Sequence, residues 1–267
     1  MNSPPNITII GAGHMATYLL SGQARGGIHL TNICITDKDP EKLADLAKLY
    51  DVQTSLDNND AIKRADIVIL AIKPQSLKDF AQQHRAAFSH APTVISILAG
   101  IPIAQIAALL GPLPIIRAMP NILVSLSQGN TILFADKQYE LVEQFFAPLG
   151  IVQWVNEEQQ LDAYTVLTGC GPGYLFYMMQ CVIDAAVELG ISSSDAKAAV
   201  LQLFSGAAHM ASLSSASLIE LQQQVASKKG VTEKLLDTLK EHHMDTIFKQ
   251  AFSKAYARGQ QLKDHKE

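Results

Sequence analysis

Cysteine is scarce. Cys34, Cys170 and Cys181 are the three in 267 residues, and no close-paired spacing among them suggests a disulfide framework or a zinc motif. A reducing compartment is expected. Cys34, inside a strand-like run, and Cys181, in an apolar helical stretch, are expected to be buried small hydrophobes. Clustered positive charge is also missing: the adjacent basic pairs are Lys63-Arg64 and Lys228-Lys229, in a chain of net charge −4. That balance offers no general attraction to nucleic acid or anionic lipid, so neither is expected as a partner. The first six residues have neither the basic region nor the apolar core of a signal sequence. The most apolar stretch, near 174–190, contains Asp184 and Glu188, which suits a core or interface helix better than a membrane span. A cytoplasmic protein is expected. His209, His242 and His243 lack the i,i+4 pairing of a helical metal site, so no metal is expected either.

What is present is a globular core, with 48% apolar and 17% charged residues in a length that suits one large domain or two modest ones. Its first feature is a run of strand formers, Ile7–Ile10, leading into Gly11-Ala12-Gly13 and a helical pattern over 14–25 that Gly26-Gly27 ends. Gly11 would permit a tight turn, and Gly13 would let backbone approach a pyrophosphate at the helix N-terminus. Ala16 would take the small position of close helix–strand packing. His14 and Met15 form the first helical turn. Alone, the pattern reads equally well as an ordinary strand–helix turn. A second strand, Ile33–Thr36, ends at Asp37, about 20 residues further on, where an acid binds adenosine ribose hydroxyls. The competing role is a loop or capping aspartate, because Asp39-Pro40-Glu41 starts the next helix. Strand, spacing and turn together favour the ribose role. An acid there repels a 2′-phosphate and Lys38 counters it, which leaves NADPH and NADH both open.

A helix over 41–50 and a short helical or loop segment over 58–64 come next. The strongest strand, 67–72, ends in Lys73-Pro74-Gln75. Ligands of parallel sheets bind beyond strand carboxyl ends, which makes Lys73 a candidate against the ordinary role of a solvated lysine. A strand over 94–97 precedes Ala99-Gly100, whose small size admits a flat cofactor ring. After a helix over 103–110, the stretch from Pro114 leaves the sheet into a bend at Met119-Pro120-Asn121. Asn121 offers donors and an acceptor there, or else makes an Asn turn with its own backbone. Strands over 131–134 and 152–155, around a helix over 138–147, complete an alternation that predicts an α/β, Rossmann-type doubly wound sheet over 1–156.

Residues 157–267 have almost no strand alternation and read as an all-helical domain. The glycines of Thr168-Gly169-Cys170-Gly171-Pro172-Gly173-Tyr174 are expected to break a helix and start the long apolar one, which Gly190 ends. Ser192 to Ser194 and Ser217 supply caps for the next two, and Thr232 with Glu233 opens another after the loop over 226–232. The last runs over 244–262. Met178 and Met179 are expected to fill core. The apolar faces exceed what one small domain can bury, which predicts a homodimer or higher homo-oligomer.

Taken together, Gly11-Ala12-Gly13-His14-Met15-Ala16, Ala71-Ile72-Lys73-Pro74-Gln75, Ala99-Gly100, Arg117-Ala118-Met119-Pro120-Asn121 and the 168–174 turn resemble the pyrroline-5-carboxylate reductase family. The likeness runs through essentially the whole chain in order. It implies a Rossmann domain followed by a helical dimerisation domain, NADPH or NADH as cofactor, and hydride transfer to the cyclic imine 1-pyrroline-5-carboxylate to give proline. The family's active site is implied to lie between nicotinamide and helical domain, with contributions across the dimer. By resemblance, Asn58 matches a cofactor-contacting asparagine, and Ala71, Lys73, Pro74, Met119 and Pro120 line the cofactor site. The 227–232 loop holds the substrate carboxylate through Ser227, Gly230 and Val231, while Thr232 meets the ring nitrogen. Thr232, Lys73 and Asn121 are the catalytic candidates. The loop departs from the family's Ser-Pro-Gly-Gly-x-Thr pattern at Lys228 and Lys229. If the first glycine of that pattern needs positive φ, Lys229 is strained by about 1–2 kcal/mol. That departure keeps two alternatives open: a reductase of the same fold for another carboxylate-bearing imine or ketone, or a catalytically impaired nucleotide-binding paralogue.

Overall fold

A computed structural model describes residues 4–264. Eight strands form one sheet in the order β3-β2-β1-β4-β5-β6-β7-β8. They are β1 (Ile7–Ile10), β2 (Ile33–Thr36), β3 (Gln53–Ser55), β4 (Ile67–Leu70), β5 (Thr93–Ser96), β6 (Ile115–Met119), β7 (Gly129–Phe134) and β8 (Gly150–Trp154). All neighbours pair parallel except β6 and β7, which are antiparallel. This is the Rossmann-type sheet expected from the strand–helix alternation.

The helices of this region are α1 (His14–Arg25), α2 (Pro40–Leu49), α3 (Asn58–Lys63), α4 (Leu77–His84), α5 (Ile103–Leu110) and α6 (Glu140–Phe146). They cover both faces of the sheet, which is why its strands are continuous apolar runs rather than alternating ones. Ile9, Ile35, Ile69 and Ile95 pack with Leu19, Leu46 and Phe146 in one core cluster. Their neighbours Ile10, Val68, Leu70 and Val94 pack with Ile62, Phe80 and Ile106 in the other. Each such side chain contributes about 1.5–3 kcal/mol on burial.

Beyond β8, α7 (Gln160–Tyr164) runs into a π-helical turn, Thr165–Gly169, and then into α8 (Gly171–Glu188). The glycines at 169, 171 and 173 therefore do not interrupt the helix, contrary to expectation. The Thr165 and Thr168 hydroxyls and the Cys170 N–H all bond to earlier carbonyls, so the backbone widens one turn and continues. Pro172, in the first turn of α8, needs no N–H partner there. The remaining helices are α9 (Ser193–Leu213), α10 (Leu218–Val225), α11 (Val231–Glu241) and α12 (Met244–Asp264). Ser192 caps α9, and Ser217 with Glu220 forms a capping box on α10.

Two compact units result, one of residues 1–172 with 256–267 and one of residues 173–255. The division falls later than the change of composition at 156 because segment 158–168 is bonded to the sheet. Glu158 pairs with Arg117 of β6, and the Thr168 carbonyl accepts from Asn121.

Within residues 173–255 only Ala196 and Val200 are buried hydrophobics. Met178 and Met179 are half-buried rather than core filling, and Cys181 is exposed rather than buried, because α8 turns that face outward in the single chain. Cys34 is half-buried, and burial raises its thiol pKa above the ordinary value.

Candidate functional site

The parallel strands β1, β2, β4, β5 and β6 place their carboxyl ends along one edge of the sheet. The strand order reverses between β1 and β4, the switch point where such sheets bind ligands. Gly11 to Gly13, Asp37, Ala71 to Pro74, Ala99-Gly100 and Met119 to Asn121 each follow one of these ends. Asn58, the first residue of α3, follows β3.

Gly11 and Gly13 are small for different reasons. Gly11 has φ +104°, and a Cβ there would lie 2.8 Å from the Ala71 carbonyl oxygen, so both conformation and contact require glycine. Gly13 has φ −82°, which any residue adopts, and a Cβ there would meet nothing within 4 Å. The space in front of Gly13 is open on the protein side. No side chain caps α1, which leaves its first-turn N–H groups for an anion. A backbone cradle of this kind fits a nucleotide pyrophosphate. Ala16 is fully buried behind it, while His14 is exposed and Met15 half-buried.

Asp37 is engaged through both carboxylate oxygens. One carboxylate oxygen accepts from the Ala12 N–H at 2.8 Å, and the other from the Asp39 N–H at 3.0 Å. Asp39, not Asp37, caps α2, accepting from Glu41 and Lys42. Asp37 thus ties the glycine turn to the end of β2, and each of its oxygens keeps a lone pair for a hydroxyl. Lys38 is exposed beside it.

Lys73 is exposed just beyond β4, and Pro74 opens a short 3-10 turn. Ala99 is exposed, and Gly100 has φ +72°. Met119 is half-buried, whereas Pro120 and Asn121 are buried. Asn121 donates to the Thr168 carbonyl at 3.1 Å and accepts from the Leu123 N–H at 3.2 Å. Its amide thus joins the bend to segment 158–168 and to its own following turn.

Sequence reasoning missed Glu158. Its Oε1 accepts from Arg117 Nη1 at 3.0 Å and from the Ile103 N–H at 2.8 Å, the first residue of α5. Arg117 is buried, so the pair satisfies a charge inside the fold that no local pattern announces.

The 227–232 loop belongs to the other unit. Lys229 has φ +61°, the left-handed conformation that would suit the family glycine, and its N–H donates to Glu233. Gly230 is required by contact: a Cβ would lie 2.8 Å from the Ser227 carbonyl oxygen and against its Oγ, and the Gly230 N–H donates to that same carbonyl at 2.9 Å. Gly230 also precedes α11 without a side-chain cap. Ser227 and Val231 are exposed, and Thr232 is half-buried in the first turn.

The chain is similar to known proteins over nearly its whole length. A family profile described as pyrroline-5-carboxylate reductase dimerisation matches residues 158–262. A second, described as NADP oxidoreductase, coenzyme F420-dependent, matches residues 6–100. The pyrroline-5-carboxylate reductase of Pseudomonas aeruginosa is 35% identical over 266 residues, covering 97% of each chain. That of Haemophilus influenzae is 31% identical, covering 96% of this chain and 97% of its own. Among solved structures, a pyrroline-5-carboxylate reductase from Coxiella burnetii superposes with a TM-score of 0.90 at 32% identity, covering 97% of this chain and 99% of that one. The run Gln160–Glu188 is long and apolar enough by length and composition to cross a membrane. It nevertheless carries Asp162, Asp184 and Glu188, and the profile that covers it describes dimerisation.

Proposed function

The chain belongs to the pyrroline-5-carboxylate reductase family, and from that premise we propose how its residues divide the reduction of 1-pyrroline-5-carboxylate to proline. It is an NAD(P)H-dependent oxidoreductase acting on a C=N bond. Residues 1–156 act as the dinucleotide domain and 157–267 as the dimerisation and substrate domain, working as a homodimer or a larger homo-oligomer.

Gly13, with the first-turn N–H groups of His14 and Met15, holds the pyrophosphate. Asp37 and Lys38 meet the adenosine ribose, and Asn58 adds a further nucleotide contact. Ala71, Lys73, Pro74, Ala99, Gly100, Met119 and Pro120 line the remainder of the edge, with Lys73 adding positive charge and Asn121 fixing the bend. When bound, NAD(P)H supplies the hydride. Ser227, Gly230 and Val231 hold the substrate carboxylate at the uncapped start of α11, where backbone N–H groups and helix dipole favour an anion. Thr232 places its hydroxyl at the ring nitrogen. A protonated imine is already electrophilic, so orientation is the main contribution the chain makes.

The observation that carries this reading is the gathering of five separate sequence stretches at the carboxyl ends of β1, β2, β4, β5 and β6, beside the open space at Gly13. Purified protein given pyrroline-5-carboxylate is expected to oxidise NADPH or NADH. Nucleotide binding without turnover on either would overturn the assignment. Thr232→Ala is expected to lower kcat/KM for the imine by about tenfold or more while nucleotide affinity holds; equal loss of both would displace the substrate site.

A further inference from the structure

His84, the last residue of α4, stands between two side-chain amides of α3. Its Nε2 lies 3.2 Å from Asn58 Nδ2, and its Nδ1 lies 2.9 Å from Asn59 Oδ1. An amide nitrogen only donates and an amide oxygen only accepts, so the ring is neutral with its proton on Nδ1. Phe80, one turn earlier on α4, packs against the imidazole with centroids 4.8 Å apart and fixes its plane. Burial lowers the His84 pKa below its ordinary value, and the Asp57 carboxylate at the N-cap of α3 partly opposes that effect.

We propose that His84 is a positioning residue for the nucleotide site. By accepting from Asn58 it turns that side chain's carbonyl oxygen away from α4, toward a hydroxyl of the bound nucleotide. The inference rests on the reading that Asn58 contacts the nucleotide. Protonated His84 has donors on both nitrogens and no acceptor for Asn58, so the amide loses its anchor in acid.

The test uses the whole protein and calorimetric titration with NADPH, independent of turnover. His84→Phe keeps a ring against Phe80 but removes the acceptor. His84→Phe and Asn58→Ala are each expected to weaken NADPH binding about five- to tenfold near neutral pH, the double variant no more than the weaker-binding single one. Because burial lowers the His84 pKa, wild-type affinity should fall only in acid below the ordinary histidine range, and the His84→Phe profile should lack that extra fall, keeping only the dependence that the 2′-phosphate brings. His84→Gln, which keeps an acceptor, should recover part of the loss. Nitrogen-15 spectra of the histidine ring should show the Nδ1–H tautomer. Unchanged affinity in His84→Phe alongside weakened binding in Asn58→Ala overturns the inference alone. No effect of Asn58→Ala overturns the nucleotide role of Asn58 along with it, and an Nε2–H tautomer overturns the hydrogen-bond assignment.

Discussion

At the level of single residues, the two glycines of the first turn make opposite predictions. Gly11→Ala forces a Cβ against the Ala71 carbonyl at a φ of +104°. It should destabilise the fold by about 2 kcal/mol or more in chemical denaturation, and nucleotide binding should go with it. Gly13→Ala adds its methyl to open space at an ordinary φ. Its denaturation midpoint should stay near wild type while nucleotide affinity drops about tenfold or more, because the methyl occupies the approach of the phosphate. A second contrast comes from Lys229. The left-handed backbone costs an L-residue about 1–2 kcal/mol, so Lys229→Gly should raise unfolding stability by about 0.5 kcal/mol or more after the greater freedom of glycine when unfolded is subtracted. A loss of stability would mean that the lysine side chain has an offsetting contact. The sequence made the strain foreseeable, since a lysine stands where the family pattern has glycine. The double duty of Asp37 was not foreseeable, because one of its partners lies 25 positions earlier in the chain.

Among elements, legibility followed how local the determining forces are. β1, α1 and β2 start and stop where the sequence predicts, since glycines, an apolar run and the Asp39-Pro40 pair act within a few residues. β3 carries no such signature. Gln53 and Thr54 are exposed, and the strand exists because β2 offers it an edge to pair with. The π-helical turn was equally hidden, depending on hydroxyls that bond back along the helix. The attachment of segment 158–168 to the sheet was invisible for the same reason as Asp37: Glu158 and Arg117 are 41 positions apart. Glu158→Ala should leave the Arg117 charge buried without its partner and the start of α5 without an acceptor. A loss of about 2–4 kcal/mol is expected in urea unfolding. Glu158→Gln should cost about half as much, since its amide oxygen still accepts.

On the scale of the molecule, the two units differ in how they find stability. The sheet unit has two buried clusters of its own. Residues 173–255 leave Tyr177 71% and Leu213 75% exposed, an apolar surface that calls for a second copy. The profile that describes dimerisation covers these residues. Phe176→Asp, on the same exposed run of α8, should shift sedimentation toward smaller species while the sheet unit keeps its cooperative unfolding. An unchanged assembly would place the interface on other helices. The chain leaves the sheet unit at Pro172 and comes back to it at Tyr256, where Gln260 bonds to Asp162 across 98 positions. Topologically, then, the segment 173–255 is an insertion rather than an appendage. A stop codon placed at its far end would take with it a piece of the very unit that was meant to be spared, and a nick inside it would leave two fragments still joined by their own side chains.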